Sequence, residues 1–248
     1  MGKKALVTGS SGLVGSETVR FLCERDWEVV GIDNDMRGKM FGIKASTDSE
    51  RVKLEAKYSN FMHIVADIRN PNQINDILSK QSNLDLIVHS AAQPAHEWST
   101  NHALEDFQIN AFGTVVMLEA YRQHSPQARF IHCSSSKVYG DSVNELPLQE
   151  FETRFDLPQG HPKWKGEDES MRIDGNLHSL FGASKASGDI MAREYGTYFQ
   201  LPITIFRPVC ITGPAHKGAS IHGYLAYLVK CVATGETYTV NGYKGKQV

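Results

Sequence analysis

The chain has 248 residues, 41% hydrophobic and 22% charged, the make-up of an ordinary globular protein with room for one large α/β domain or one domain and part of a second. A formal charge of −2 leaves no basic field for nucleic acid or an anionic membrane, and no apolar run reaches the length of a bilayer span. The four cysteines are scattered without a C-x-x-C pair, and His216 and His222 miss the helical i,i+4 spacing. Free thiols in a reducing cytoplasm are therefore expected, and no metal site.

The chain runs from Met-Gly-Lys-Lys straight into a strand-like ALVTG, so no signal peptide is expected before the fold. Leu6 stands where a myristoylation motif needs Ser or Thr. Short apolar, β-rich runs predict strands at 4–8, 27–33, 62–66, 84–89, 129–134 and 203–207, each nearly continuous, as in a parallel sheet covered on both faces. Helix-period segments between them fall at 13–25, 71–81, 101–124 and 177–199. The alternation implies a doubly wound parallel α/β sheet of Rossmann type. Two stretches break the beat. Residues 36–59 form a polar insertion after the second strand, expected to carry a short helix. Residues 144–175 are a long loop rich in proline and charge, and such loops are more often functional than idle. Past Pro208, a helix at 221–235 and a strand at 237–241 lead to a terminal GKQV. The expected division is a dinucleotide-binding domain over 1–208 and the start of a smaller, truncated substrate domain over 209–248.

TGSSGLVG, residues 8–15, lies between the first strand and the first helix. Glycines at 9, 12 and 15 permit a tight turn, close approach of backbone to a pyrophosphate, and tight helix–strand packing, while the helix start favours phosphate. Gly9, Ser11, Gly12, Leu13, Val14 and Gly15 are the expected cofactor contacts here. Asp33, with Asn34 beside it, ends the second strand, where an acid bonds the adenosine ribose hydroxyls and repels a 2′-phosphate. NAD is thus the expected cofactor, with NADP left open by Arg37. Asp67 and Ile68 after the third strand, Ala91, Ala92 and Gln93 after the fourth, Asn110 and Arg207 complete the expected cofactor set. Arg207 could face a diphosphate or pair with a neighbouring carboxylate.

HCSSSKVYG, residues 132–140, ends the fifth strand in hydroxyls at the same crevice. With the glycine motif it resembles the extended short-chain dehydrogenase/reductase superfamily of NAD-dependent nucleotide-sugar epimerases and dehydratases. The nearest resemblance is to the CDP-paratose 2-epimerase (tyvelose epimerase) group, carried by KVYG at 137–140, DES at 168–170 with Asp174, and HSLFGASK at 178–185. The resemblance implies a catalytic Ser135 that hydrogen-bonds the sugar oxygen, with Ser134 and Ser136 as near alternatives. It implies a catalytic Lys185 that holds the nicotinamide ribose. Ser136, Lys137, His178, Pro208 and His222 are then expected on the sugar-nucleotide side, and the long helices are expected to pair two copies into a homodimer. The family's 4,6-dehydratases carry Asp-Glu before the valine, where this chain has Ser136 and Lys137. A lysine cannot protonate a leaving hydroxyl as a carboxylic acid does, so dehydration is disfavoured.

One position departs from the pattern. The proton-handling tyrosine of Tyr-x-x-x-Lys is Phe181 here. Tyr139, Glu145, Glu150, Lys185 acting directly, or a water held by Ser135 and Lys185 could replace it. The expected activity is an epimerase acting on a nucleotide-activated sugar through a keto-sugar. A non-catalytic NAD sensor, or a dehydrogenase or dehydratase on the same substrates, are the alternatives.

Overall fold

The structure, a computed structural model, describes residues 2–81, 83–166, 168–216 and 223–240. Its centre is a six-stranded sheet in the order β3-β2-β1-β4-β5-β8, with every neighbouring pair parallel. The strands are β1 (Lys4–Thr8), β2 (Glu28–Asp33), β3 (Phe61–Val65), β4 (Leu86–His89), β5 (Arg129–Cys133) and β8 (Ile203–Phe206). Alternate side chains feed two cores. Leu6, Val30, Ile32, Ile87 and Phe130 meet α4 (Pro71–Lys80) and α7 (Gly113–His124) on one face. Ala5, Val7, Val29 and Val88 meet α1 (Leu13–Cys23) and Leu54 of α3 (Asp48–Lys57) on the other. Burial on both faces explains why β1, β2 and β4 read as unbroken apolar runs.

Helix starts follow local chemistry. Asn70 caps α4 by accepting the Gln73 N–H, with Pro71 in the first turn. Ser179 caps α8 (Leu180–Tyr198) by accepting the Gly182 N–H at 3.0 Å. The insertion after β2 holds α2 (Met36–Phe41) as well as α3, two helices where one was expected.

The helix expected over 101–124 is not continuous. His102, at φ −136° and ψ 43°, separates α5 (His96–Asn101) from α6 (Ala103–Phe107), and Gln108–Phe112 then forms a π-turn before α7. The long loop carries a two-strand hairpin, β6 (Gln149–Glu150) and β7 (Phe155–Asp156). After β8 the helix α9 (Tyr224–Thr234) forms, but Thr237–Val240 is not a strand, having no neighbour to pair with among the described residues. Asn241 and His222 lie outside the described residues.

Candidate active site

The strand order reverses between β1 and β4, so the carboxyl ends of these strands part into a crevice. The resulting cleft of about 1820 Å³ exceeds the roughly 300–1,000 Å³ of a single small-molecule pocket and has room for two ligands end to end.

The turn after β1 forms one lip. Gly9 has φ +67°, and a Cβ there would stand 2.8 Å from the Ala91 nitrogen; a Cβ on Gly15 would strike the Gly9 carbonyl. Only glycine lets turn, helix and β4 exit lie this close. No side chain caps α1 at Gly12, and its first turn holds no acid. The first-turn N–H groups of Leu13, Val14 and Gly15, all on the cleft wall, thus keep their bonding capacity and the positive helix end for an anion. The residues present fit the pyrophosphate of a dinucleotide.

Asp33 stands beyond this lip. Its Oδ2 accepts the Ser11 N–H at 3.0 Å and its Oδ1 the Asp35 N–H at 2.9 Å. Burial pushes its carboxyl above the usual value, and the two backbone bonds only partly oppose that. Asp35, at φ 49°, gathers the insertion by accepting from Ser46 Oγ at 2.6 Å and Thr47 N at 2.9 Å. Met36, Arg37, Met40 and Thr47 thereby wall the Asp33 end of the cleft.

The opposite end is built by β5, β8 and α8. Ser134 Oγ donates to Asp189 Oδ2 at 2.5 Å, and the fully buried Asp189 takes the fork of Arg207 at 2.9 and 2.7 Å. Arg207 Nη1 reaches the Tyr139 hydroxyl at 3.0 Å. Ser135 Oγ accepts the Lys137 N–H at 3.1 Å and opens a 3₁₀ turn, Ser136–Tyr139, whose Val138 carbonyl accepts from His178 Nε2 at 2.7 Å. Lys185 Nζ donates to the Cys133 carbonyl at 2.8 Å, and burial lowers its pKa to about 8. Phe181 lies one turn earlier on α8 and lines the same wall. Beneath them His89 and His132 stack at 5.5 Å; burial first, then the Lys185 charge, pushes His89 down to about 3 and His132 well below its usual value.

Residues 5–248 match the NAD dependent epimerase/dehydratase family. The chain belongs to that family, and NAD is its cofactor. The CDP-paratose 2-epimerase of Salmonella typhi is 30% identical over 99% of this chain and 69% of its own length. A dTDP-glucose 4,6-dehydratase from Streptomyces venezuelae, solved with NAD and TYD bound, shares 25% identity at a TM-score of 0.68, covering 92% of this chain and 62% of that one. The UDP-glucose 4-epimerase of Thermus thermophilus, solved with NAD, shares the fold at 21% identity and a TM-score of 0.65, covering 94% of this chain and 63% of that one. The chain thus spans under two thirds of these solved relatives.

Within this family cleft, most residues singled out in the sequence come together. Gly9, Gly12, Leu13, Val14, Gly15, Asp33, Asn34, Asp67, Ile68, Ala91, Ala92, Gln93, Ser135, Ser136, Lys137, Phe181, Lys185, Arg207 and Pro208 all line it. Four make contacts of their own within the protein. Ser11 sits behind the wall with its N–H on Asp33, so it positions that carboxylate. Asn110 is turned inward by the π-turn, its amide committed to Gln93, Asp106 and Ser184. His178 props the Ser135 turn from behind instead of facing the sugar side. Arg207 pairs with a carboxylate, Asp189, the second of its two open readings. Asp67, though on the wall, is in an ion pair with Arg69 at 2.7 Å. Of the groups that could replace the tyrosine, Glu145 pairs with Arg172 and Glu150 stands exposed on β6, away from the cleft wall. Sequence reasoning missed Asp189 and Asp106, and it missed the wall supplied by the insertion. Asp189 had a signal, since it follows Lys185 by four residues on one helix face.

Proposed function

We propose that this chain is an NAD-dependent epimerase of a nucleotide-activated sugar, working through a keto-sugar in the cleft. The observation that carries the reading is the wall from Ser135 to Lys137. It offers two hydroxyls and an ammonium group where elimination of water needs a carboxylic acid. The likeness to a CDP-paratose 2-epimerase over nearly the whole chain supports it.

The glycine turn and first helical turn hold the pyrophosphate, and Asp33 holds the adenosine ribose. Bound NAD supplies a hydride acceptor that returns the hydride later, so no net redox follows. Ser135 keeps a hydroxyl proton for the sugar oxygen, whereas Ser134 is tied to Asp189. Lys185 holds the nicotinamide ribose hydroxyls. Lys137, exposed on the wall, faces the charged part of the substrate, and the loop around the β6–β7 hairpin covers the sugar side. With nucleotide sugars as substrates, the site of action would be the cytoplasm.

The test is incubation with a panel of nucleotide sugars, read by mass spectrometry and proton NMR. An epimer of unchanged mass is the expected product; a product lighter by one water would replace this reading with a dehydratase. A second reading, an NAD-binding protein without turnover, is favoured by one residue, Phe181, whose ring carries no proton. Exchangeable NAD and no conversion of any sugar would favour it.

A further inference from the structure

Oxidation of an alcohol needs an acceptor for the hydroxyl proton as well as for the hydride, and Phe181 provides none. We propose that Lys185 itself takes and returns that proton, its amine standing in for the missing phenol. This rests on the epimerase reading, in which a sugar carbinol gives up hydride in this cleft.

The geometry favours Lys185 over the other groups. It follows Phe181 by one turn of α8, and both line the same wall. Its side chain is buried, yet among the described residues it forms no ion pair; its one hydrogen bond is to the Cys133 carbonyl. An ammonium has three N–H donors, so two remain for ligands. Its titratable neighbours on α8, β4 and β5 are engaged or neutral; Asp106 on α6 keeps one oxygen, Oδ2, without a hydrogen-bond partner, and on α5 the His96 ring stands 6.4 Å from that of Phe181. On α8, Asp189 is bound by Arg207 and Ser134. On α6, Asp106 takes the Gln93 and Asn110 amides through Oδ1, and burial raises its pKa. On β5 the Cys133 thiol is pushed up by burial, and His132 there and His89 on β4 are held neutral. A desolvated ammonium with no counter-charge in contact releases its proton readily, and burial places this one at about 8. That matches the working pH of a general base, where both forms are populated. An apolar Phe181 ring beside it sustains the desolvation. Tyr139 and His96 share the wall with it, the Tyr139 hydroxyl being already engaged by Arg207.

In the oxidative half, the sugar O–H bond breaks and its proton joins the neutral Lys185 amine. The C–H bond breaks, leaving C=O in the sugar, and bound NAD would supply the acceptor for its hydride. In the return half the ammonium gives the same proton back to the alkoxide as hydride re-adds to the other face.

Two measurements on the full chain test this. In the first, lysine labelled with ¹³C at the ε-carbon is titrated by NMR, with and without NAD. The resonance missing from Lys185→Arg should titrate near 8, against roughly 10.4 for ordinary lysines. The second is single-turnover NADH formation with nucleotide sugars. Arginine keeps the charge and the donors but cannot release a proton. Lys185→Arg should therefore slow NADH formation by about 100-fold or more, with NAD affinity changed only a few-fold. Phe181→Tyr in that background should restore the rate, and Tyr139→Phe alone should leave it near the parent's. The parent rate should rise with pH through about 8, because the neutral amine is the acceptor; a lysine acting only by charge would give a falling rate. Lys185 titrating with the other lysines, Lys185→Arg at the parent rate, or loss of the reaction in Tyr139→Phe would each overturn the proposal. If Lys185 titrates near 8 but no sugar yields NADH in the parent or in Phe181→Tyr, the epimerase reading fails and the catalytic role falls with it.

Discussion

A carboxylate held by two backbone N–H groups cannot swing away from a 2′-phosphate, and Asp33 is held in this way. Asp33→Ala should weaken NAD about 10- to 100-fold, the range for hydrogen bonds to a charged group of roughly 1.5–3 kcal/mol. It should also narrow the preference over NADP, measured by titration calorimetry. Burial raises the Asp33 pKa, so its proton returns at a higher pH in the folded chain than in the unfolded one. NAD affinity should then begin to fall before the pH drops to the ordinary aspartate value of 3.8. An affinity flat down to that value would contradict the role given to this carboxylate. Asp189 presents a different energy. Asp189→Ala strands the Arg207 guanidinium and should cost about 3–5 kcal/mol in urea unfolding, with Asp189→Ala/Arg207→Met losing less. Asp33 was legible in the sequence because it ends a strand at a set distance from the glycines. Asp189 left only a weak trace, its spacing of four from Lys185, because a carboxylate on a helix reads as a solvated face until its partner on β8 is known.

Elements were legible where their chemistry is local. The β1–turn–α1 unit has its glycines where Cβ atoms would collide, and the inner strands β1, β2 and β4 have apolar runs because both faces are covered. The π-turn at Gln108–Phe112 was illegible because it is set by tertiary bonds. Asn110 is drawn inward by Gln93 after β4 and Ser184 on α8, with Asp106 one turn before it sharing the amide. The same break leaves Leu104 73%, Phe107 50% and Phe112 43% exposed. Together with Leu180 and Ile190 on α8, also exposed, they form the surface through which we expect two copies to pair. Phe107→Asp, or Leu104→Asp, should convert a dimer to a monomer at micromolar concentration in sedimentation, with NAD binding retained. A parent chain that sediments as a monomer at that concentration would rule out this surface as the dimer contact.

At the scale of the molecule, the sheet order places the cleft between parts that the chain keeps far apart. Gly9, Asp33, Ala91, Ser135, Lys185 and Arg207 meet there from across more than two thirds of the sequence. This convergence was legible only as a consequence of a doubly wound order, in which strand carboxyl ends meet at the reversal. The wall supplied by α2 was not, since a polar insertion carries no sign of where it folds back. A ligand that bridges all these segments binds the folded chain and not the unfolded one, so NAD should stabilise the whole. At a hundredfold excess over its dissociation constant it should contribute about 2.7 kcal/mol. For a chain of this size each kcal/mol raises Tm by roughly 2–4 °C, which gives a rise of about 5–10 °C by calorimetry or dye fluorescence. NADP at the same concentration should raise Tm by clearly less, because Asp33 opposes its phosphate, and in Asp33→Ala the two rises should converge. Equal rises in the parent chain would remove Asp33 as the discriminating group, and no rise with either dinucleotide would mean that the glycine turn does not hold the cofactor.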